Sequence, residues 1–142
     1  MDHVAIMSGD WELTEKILSG EKTIESRWYK NKYAPWDRIK SGDAVYFKEG
    51  KYVSVKASVE RVLQFSDLNK DKVRGLLEKY HKEDGIDKSK IESYYQLFKD
   101  KKYCILVFLQ NVEKMGSFEI DKKGFGSMAA WVCIEDVNKI KI

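Results

Sequence analysis

Proline occurs once in this chain of 142 residues, cysteine and histidine twice each, and no apolar run approaches the ~18 residues that a membrane-spanning helix needs. Those shortages exclude several classes. Two cysteines cannot build the disulfide framework of a small secreted domain. Cys104 in Tyr103-Cys104-Ile105-Leu106-Val107 and Cys133 in Trp131-Val132-Cys133-Ile134 both sit in apolar, strand-like runs, which reads them as buried, reduced core residues. His3 and His81 have no partner at ligand spacing, so no metal and no cofactor are expected. The start Met1-Asp2-His3 lacks the basic opening of a signal peptide, which makes a cytoplasmic location and no membrane association the default expectation. Without repeats, low-complexity tracts or linkers, residues 1–142 read as a single domain.

What is present is ordinary globular composition, 43% hydrophobic and 35% charged, with a net charge of +3 and a pI near 8.7. That pI lies just short of the values above about 9 found in dedicated nucleic-acid binders. The placement of the positive charge says more. Lys30, Lys32, Arg38 and Lys40 share one stretch, Lys122 and Lys123 another, and Lys139 and Lys141 the C-terminus, while Asp67 to Lys102 mixes both signs in the manner of solvated helix surface.

Chemistry concentrates in Gly20-Glu21-Lys22-Thr23-Ile24-Glu25-Ser26-Arg27. Upstream, Ser8 and Asp10 are candidate N-caps, and Trp11, Leu13, Ile17 and Leu18 make an apolar stripe of helical spacing over residues 11–19. Gly20 then closes the helix, because it reaches the left-handed conformation without a Cβ penalty. A turn at Lys22 leads into a strand from Thr23, whose period of two puts Glu25 and Arg27 on one face and Ile24 on the other. Lys22 folded over that face would hold the Glu25 carboxylate between two cations, leaving donors for an anion or carbonyl. Solvated charges at a strand end are the competing reading, since exposed pairs contribute only ~0–1 kcal/mol.

Elsewhere, Val4 to Met7 reads as a buried strand. Residues 28–42 form a long aromatic and basic loop containing Pro35, and Asp43 to Lys48 and Tyr52 to Phe65 form a hairpin turning at Glu49-Gly50. A helix capped by Ser66 or Asp67 carries Leu68, Val73, Leu76, Leu77 and Tyr80 and ends near Asp84-Gly85; a second covers Lys88 to Lys99. Three strands follow, Tyr103 to Val112, a short one near Phe118, and Ala130 to Ile134. The unalternating run Cys104 to Leu109 belongs in the middle of a sheet. This order predicts an α+β fold, a partly closed β-barrel with helices packed outside, in which residues 66–100 serve as packing at one barrel end.

The loop Trp28-Tyr29-Lys30-Asn31-Lys32-Tyr33-Ala34-Pro35-Trp36 interleaves aromatic faces that stack on bases with lysines that meet phosphates. Trp28, Tyr29, Lys30, Lys32 and Trp36, with Lys122 and Lys123 if their turn reaches the same rim, are therefore candidate RNA or base contacts. Burial of Trp28 and Trp36 in the core is the alternative.

The stretch Gly-x-Lys-x-x-Glu-x-Arg, followed by Ser41-Gly42-Asp43-Ala44-Val45-Tyr46-Phe47, resembles the signature of the ASCH domain, a family of the PUA-like superfamily of small β-barrels. Gly124-Phe125-Gly126 with Ala130-Trp131-Val132 resembles a closing strand of such domains. The resemblance implies a PUA-like barrel, kinship with RNA-binding modules, and a cleft lined by Gly20, Lys22, Glu25 and Arg27.

Three functions follow as expectations. The first is an RNA-binding domain that takes a nucleotide or base into a charged cleft, with Arg27 and Lys22 on a phosphate or carbonyl and Glu25 on a base amino group. The second is a small hydrolase, resembling relatives that act on N4-acetylcytidine or a ribonuclease, with Lys22 and Glu25 catalytic. In the amidohydrolase-like relatives a threonine occupies the place of Glu25, and a carboxylate does not replace an activated hydroxyl; Thr23 and Ser26 lie outside the matching position. The third is a protein-interaction or small-ligand module for an anionic metabolite. The sequence names no protein partner.

Overall fold

Apolar residues fall on both faces of the middle strands, and that decides the architecture. In the computed structural model, which describes residues 1–7, 13–126 and 128–142, the chain forms β1 (Asp2–Met7), α1 (Leu13–Ser19), β2 (Ile24–Tyr29), β3 (Ala44–Glu49), β4 (Tyr52–Phe65), α2 (Lys70–Tyr80), α3 (Ile91–Phe98), β5 (Tyr103–Phe118) and β6 (Trp131–Ile134). The six strands make one mixed sheet in the order β2-β5-β4-β3-β1-β6. β1 runs parallel to β3, and the other pairings are antiparallel. The result is an α+β, partly open barrel.

β5 lies between β2 and β4, and its unalternating run has a simple cause. Ile105, Val107 and Leu109 enter the barrel core with Phe47, Val55, Val59 and Trp131. Cys104 and Leu106 face the other way and pack with Ile24 and Trp28 against Val73 and Leu77 of α2. Both faces of the strand are thus dry, as in other doubly covered strands. The helices α2 and α3 therefore cover the outer face of β2 and β5. Both cysteines are buried and free, and burial pushes both thiols up, the condition of inert core cysteines.

Three expectations need correction. The separate strand near Phe118 is the continuation of β5, which pairs along β4 through three register shifts; such bulges bend long strands and let a sheet curl. The α2 cap is Asn69, which accepts from the Lys72 amide, rather than Ser66 or Asp67, because Asp67 sits at φ 53° in the preceding turn. The loop expected over residues 28–42 starts only after Tyr29, because Trp28 and Tyr29 belong to β2 and pair with Cys104 and Tyr103 of β5. His3 is fully buried: its Nε2 lies 2.9 Å from Asp43 Oδ2, and its Nδ1 accepts from the Trp131 indole at 3.0 Å. Asp43 also accepts from the Lys40 amide, so Gly42-Asp43 is a turn that pins β1 to the start of β3. Of the N-terminal helix, the candidate caps Ser8 and Asp10 and the stripe residue Trp11 lie outside the described residues.

Candidate functional site

β2 is an edge strand, and the barrel stays open between it and the β1–β6 side. Ile24, Ser26 and Trp28 face the helices; Glu25, Arg27 and Tyr29 face the seam. Gly20, at φ 82°, ends α1 and turns the chain toward Lys22. The amides of Thr23 and Ile24 then donate to the Glu83 carbonyl at 2.7 and 3.0 Å, which docks the turn after α2 onto the start of β2.

That docking brings a residue the sequence did not single out. Asp84 is buried and its Oδ1 lies 2.5 Å from Lys22 Nζ, while its backbone carbonyl accepts from the same ammonium at 2.9 Å. Its second oxygen accepts from Ser26 Oγ at 2.6 Å, and Ser26 in turn accepts from the Trp28 indole at 3.1 Å. Gly85 makes room for this: a Cβ there would stand 3.1 Å from the Cβ of Lys22. An Asp-Gly pair in the turn that follows an amphipathic helix was the available signal, but it reads equally well as a helix stop.

Lys22 is only 3% exposed. Burial alone would lower its pKa, yet the fields of Glu25 and Asp84 outweigh that and hold the ammonium above its ordinary value of 10.5. Lys22 thus stands behind the cleft as a fixed positive charge. Glu25, 5% exposed, is held loosely: Oε1 is 3.7 Å from Arg27 Nε, and Oε2 has no hydrogen-bond partner. Arg27 Nε, beyond this ion pair, likewise has no hydrogen-bond partner within the protein.

The rest of the Arg27 guanidinium spans the open seam. It donates to the Ala130 carbonyl at 3.1 Å and the Ile6 carbonyl at 3.2 Å, and lies 5.1 Å from the Trp131 ring centre. A cleft of about 290 Å³ lies in front of Glu25 and Arg27, walled by Ile6, Met7, Leu13, Tyr29 and Phe98. A smaller recess of about 90 Å³ continues to Lys22, Asp84 and Tyr94. Among the described residues, no group of three or more His, Cys, Asp or Glu is arranged to hold a metal ion, and no helix is long and apolar enough to cross a membrane.

The loop residues divide. Trp28 is buried and stacks on Phe98 at 4.8 Å and 5°. Trp36 is half-buried and meets Tyr103 edge-on at 5.1 Å. Tyr29 borders the cleft and donates its hydroxyl to the Ala34 carbonyl. Lys30, Lys32 and Lys123 are exposed, whereas Lys122 Nζ donates to the Ala129 carbonyl at 3.1 Å.

A half-barrel with a buried acid–base cluster at its open edge is the class that this geometry defines. No protein-family model and no curated protein matches the chain. Solved structures do. The crystal structure of ASCH from Zymomonas mobilis aligns with a TM-score of 0.66 over 94% of this chain and 87% of that one, at 18% identity. A single-residue variant of that protein aligns with a TM-score of 0.69 over 97% of this chain and 93% of its own, at 16% identity. The crystal structure of a hypothetical protein aligns with a TM-score of 0.51 over 81% and 100%, at 22% identity. The fold of this chain is that of the ASCH domain.

Proposed function

We propose that this domain binds nucleic acid, RNA in the first place, by accepting a nucleotide or base into the cleft between β2 and the β1–β6 seam. The observation that carries the reading is Glu25. A carboxylate oxygen with no hydrogen-bond partner within the protein, at a cleft wall beside a guanidinium N–H in the same state, is the group that a ligand entering the cleft would pair with. A base edge supplies the matching pair, an N–H or amino donor for Glu25 and a ring nitrogen or carbonyl for Arg27. Lys22 offsets the charge of Glu25 from behind, and exposed Lys30 and Lys32 lie on the loop that leaves the cleft. The ASCH fold of the neighbours supports the same direction.

The test is fluorescence anisotropy with short single-stranded and structured RNAs at low and moderate salt. Salt-dependent binding that Glu25→Gln weakens is expected. Binding that is absent, or indifferent to Glu25→Gln, sinks the proposal.

One observation favours a hydrolase acting on nucleosides or RNA as the second reading. Half-buried Ser26 and the buried Asp84 and Lys22 form a continuous chain of donors and acceptors that ends in the small recess beside Glu25. Turnover of N4-acetylcytidine or of a labelled RNA, compared between the wild type and Asp84→Asn, with and without chelator, tests it.

A further inference from the structure

A second cavity, of about 570 Å³, opens on the other side of Arg27. Its lining is aromatic and apolar, with Tyr29, Tyr33, Phe125, Met128 and Trp131 contributing. Tyr29 lines both cavities. Its ring meets Tyr33 edge-on at 5.7 Å, which leaves Tyr33 59% exposed with a free face.

Arg27 marks the divide. One carbonyl it holds, Ile6, belongs to the wall of the first cleft; the other, Ala130, belongs to the wall of the second. A cation therefore sits on the saddle between a recess with unpaired polar groups and a recess walled by aromatic rings. Both volumes are on the scale of ligand pockets, roughly 300–1,000 Å³. Two flat, partly polar rings joined by an anion match this surface in shape and in sign of charge, which is the pattern of stacking platforms along a positive groove.

We infer that the domain reads a dinucleotide step of a single strand, with one base at Glu25, the linking phosphodiester over Arg27, and the neighbouring base against the exposed ring of Tyr33. This rests on the nucleic-acid reading above and adds the length and single-strandedness of the ligand. A base-paired duplex cannot splay two neighbouring bases into separate recesses without unstacking them.

The experiment compares cytidine monophosphate, whose amino group and ring nitrogen match Glu25 and Arg27, with a CpC dinucleotide whose first 2′ position is deoxy, so that the probe is not cleaved. Affinities are measured by calorimetry on the full chain and on Tyr33→Ala, whose exposed position keeps it folded, checked by circular dichroism. The dinucleotide should bind the wild type roughly tenfold or more tightly than the mononucleotide, in line with the stacking of one additional base. Tyr33→Ala should remove that gain and leave the mononucleotide unchanged. Equal affinities for the two ligands, or a gain that survives Tyr33→Ala, overturn the inference while leaving the single-base reading standing. Failure of both ligands to bind the wild type overturns the reading itself, and the inference with it.

Discussion

The ammonium of Lys22 and the carboxylate of Asp84 meet at 2.5 Å across 62 residues of sequence, and both groups are buried. The contact joins the turn before β2 to the turn after α2. It makes the helical segment, which the sequence reads as packing alone, part of the wall of the cleft. A buried pair of this kind is a poor source of net stability but a strict one, because neither partner tolerates the loss of the other.

Asp84→Ala should therefore destabilise the domain by about 3–5 kcal/mol, the cost of leaving a buried ammonium uncompensated. The double substitution K22M with D84L should recover most of that loss, since two apolar side chains of similar bulk replace the ions. Urea unfolding of the single and double variants measures the coupling. Additive losses would show that the two groups do not depend on each other.

The local half of this site was legible in the sequence. Gly20, the alternation of Glu25 and Arg27, and the hairpin at Gly50 all follow from period and turn chemistry, which act over a few residues. Long-range pairing was not. Nothing local distinguishes Asp84-Gly85 from a helix stop, and His3 looks unremarkable until Asp43 and Trp131 close around it. Likewise the aromatics of residues 28–36 have one composition but several fates. Trp28 faces the helices because it shares strand parity with Ile24, while Tyr33 lies beyond the strand and stays exposed.

Arg27 closes the seam with two hydrogen bonds to main-chain carbonyls, so its role is mechanical as well as electrostatic. Arg27→Ala leaves the Ile6 and Ala130 carbonyls without that donor, and a loss of about 1–3 kcal/mol follows. The effect should be local. Amide exchange at Ile6, which donates to Ala130 at 3.0 Å, should accelerate more than exchange in β5. Uniform acceleration across the sheet would mean that the guanidinium is not a seam contact.

His3 gives the domain an acid limb. Burial lowers its pKa below the ordinary 6.5, even though Asp43 pulls the other way; the N-terminus and Arg38 reinforce the lowering. The unfolded chain then takes up a proton near pH 6.5 while the folded chain does not, so stability falls as pH drops below that value, by at most ~1.4 kcal/mol per pH unit. Asp43 acts in a lower window. Burial opposes its ionisation, but the His3 and Lys40 hydrogen bonds bring its carboxyl below the ordinary 3.8, and the stability this contributes is lost as pH falls through the folded value. His3→Gln, which keeps one donor and one acceptor but does not titrate, should flatten the urea-unfolding profile between pH 6.5 and 5. A slope unchanged in that variant would assign the limb to other groups.

Glu25 bears on stability and function at once. Its Oε2 has no hydrogen bond to lose and Gln has the same shape, but the charge removed is one of the two that hold the buried Lys22 ammonium, so Glu25→Gln should lower the unfolding free energy by about 1–3 kcal/mol. Ligand affinity of the folded protein should fall as well. A carboxylate that accepts from a base amino group makes a charge-assisted hydrogen bond of about 1.5–3 kcal/mol, and its removal predicts a tenfold to hundredfold weaker complex. The salt dependence should hardly change, because that slope counts phosphate contacts, and Glu25 makes none. Calorimetry and urea unfolding on the same preparation give both numbers. Under conditions where the variant is fully folded, weakened affinity places Glu25 on the ligand; unchanged affinity would make it a structural residue.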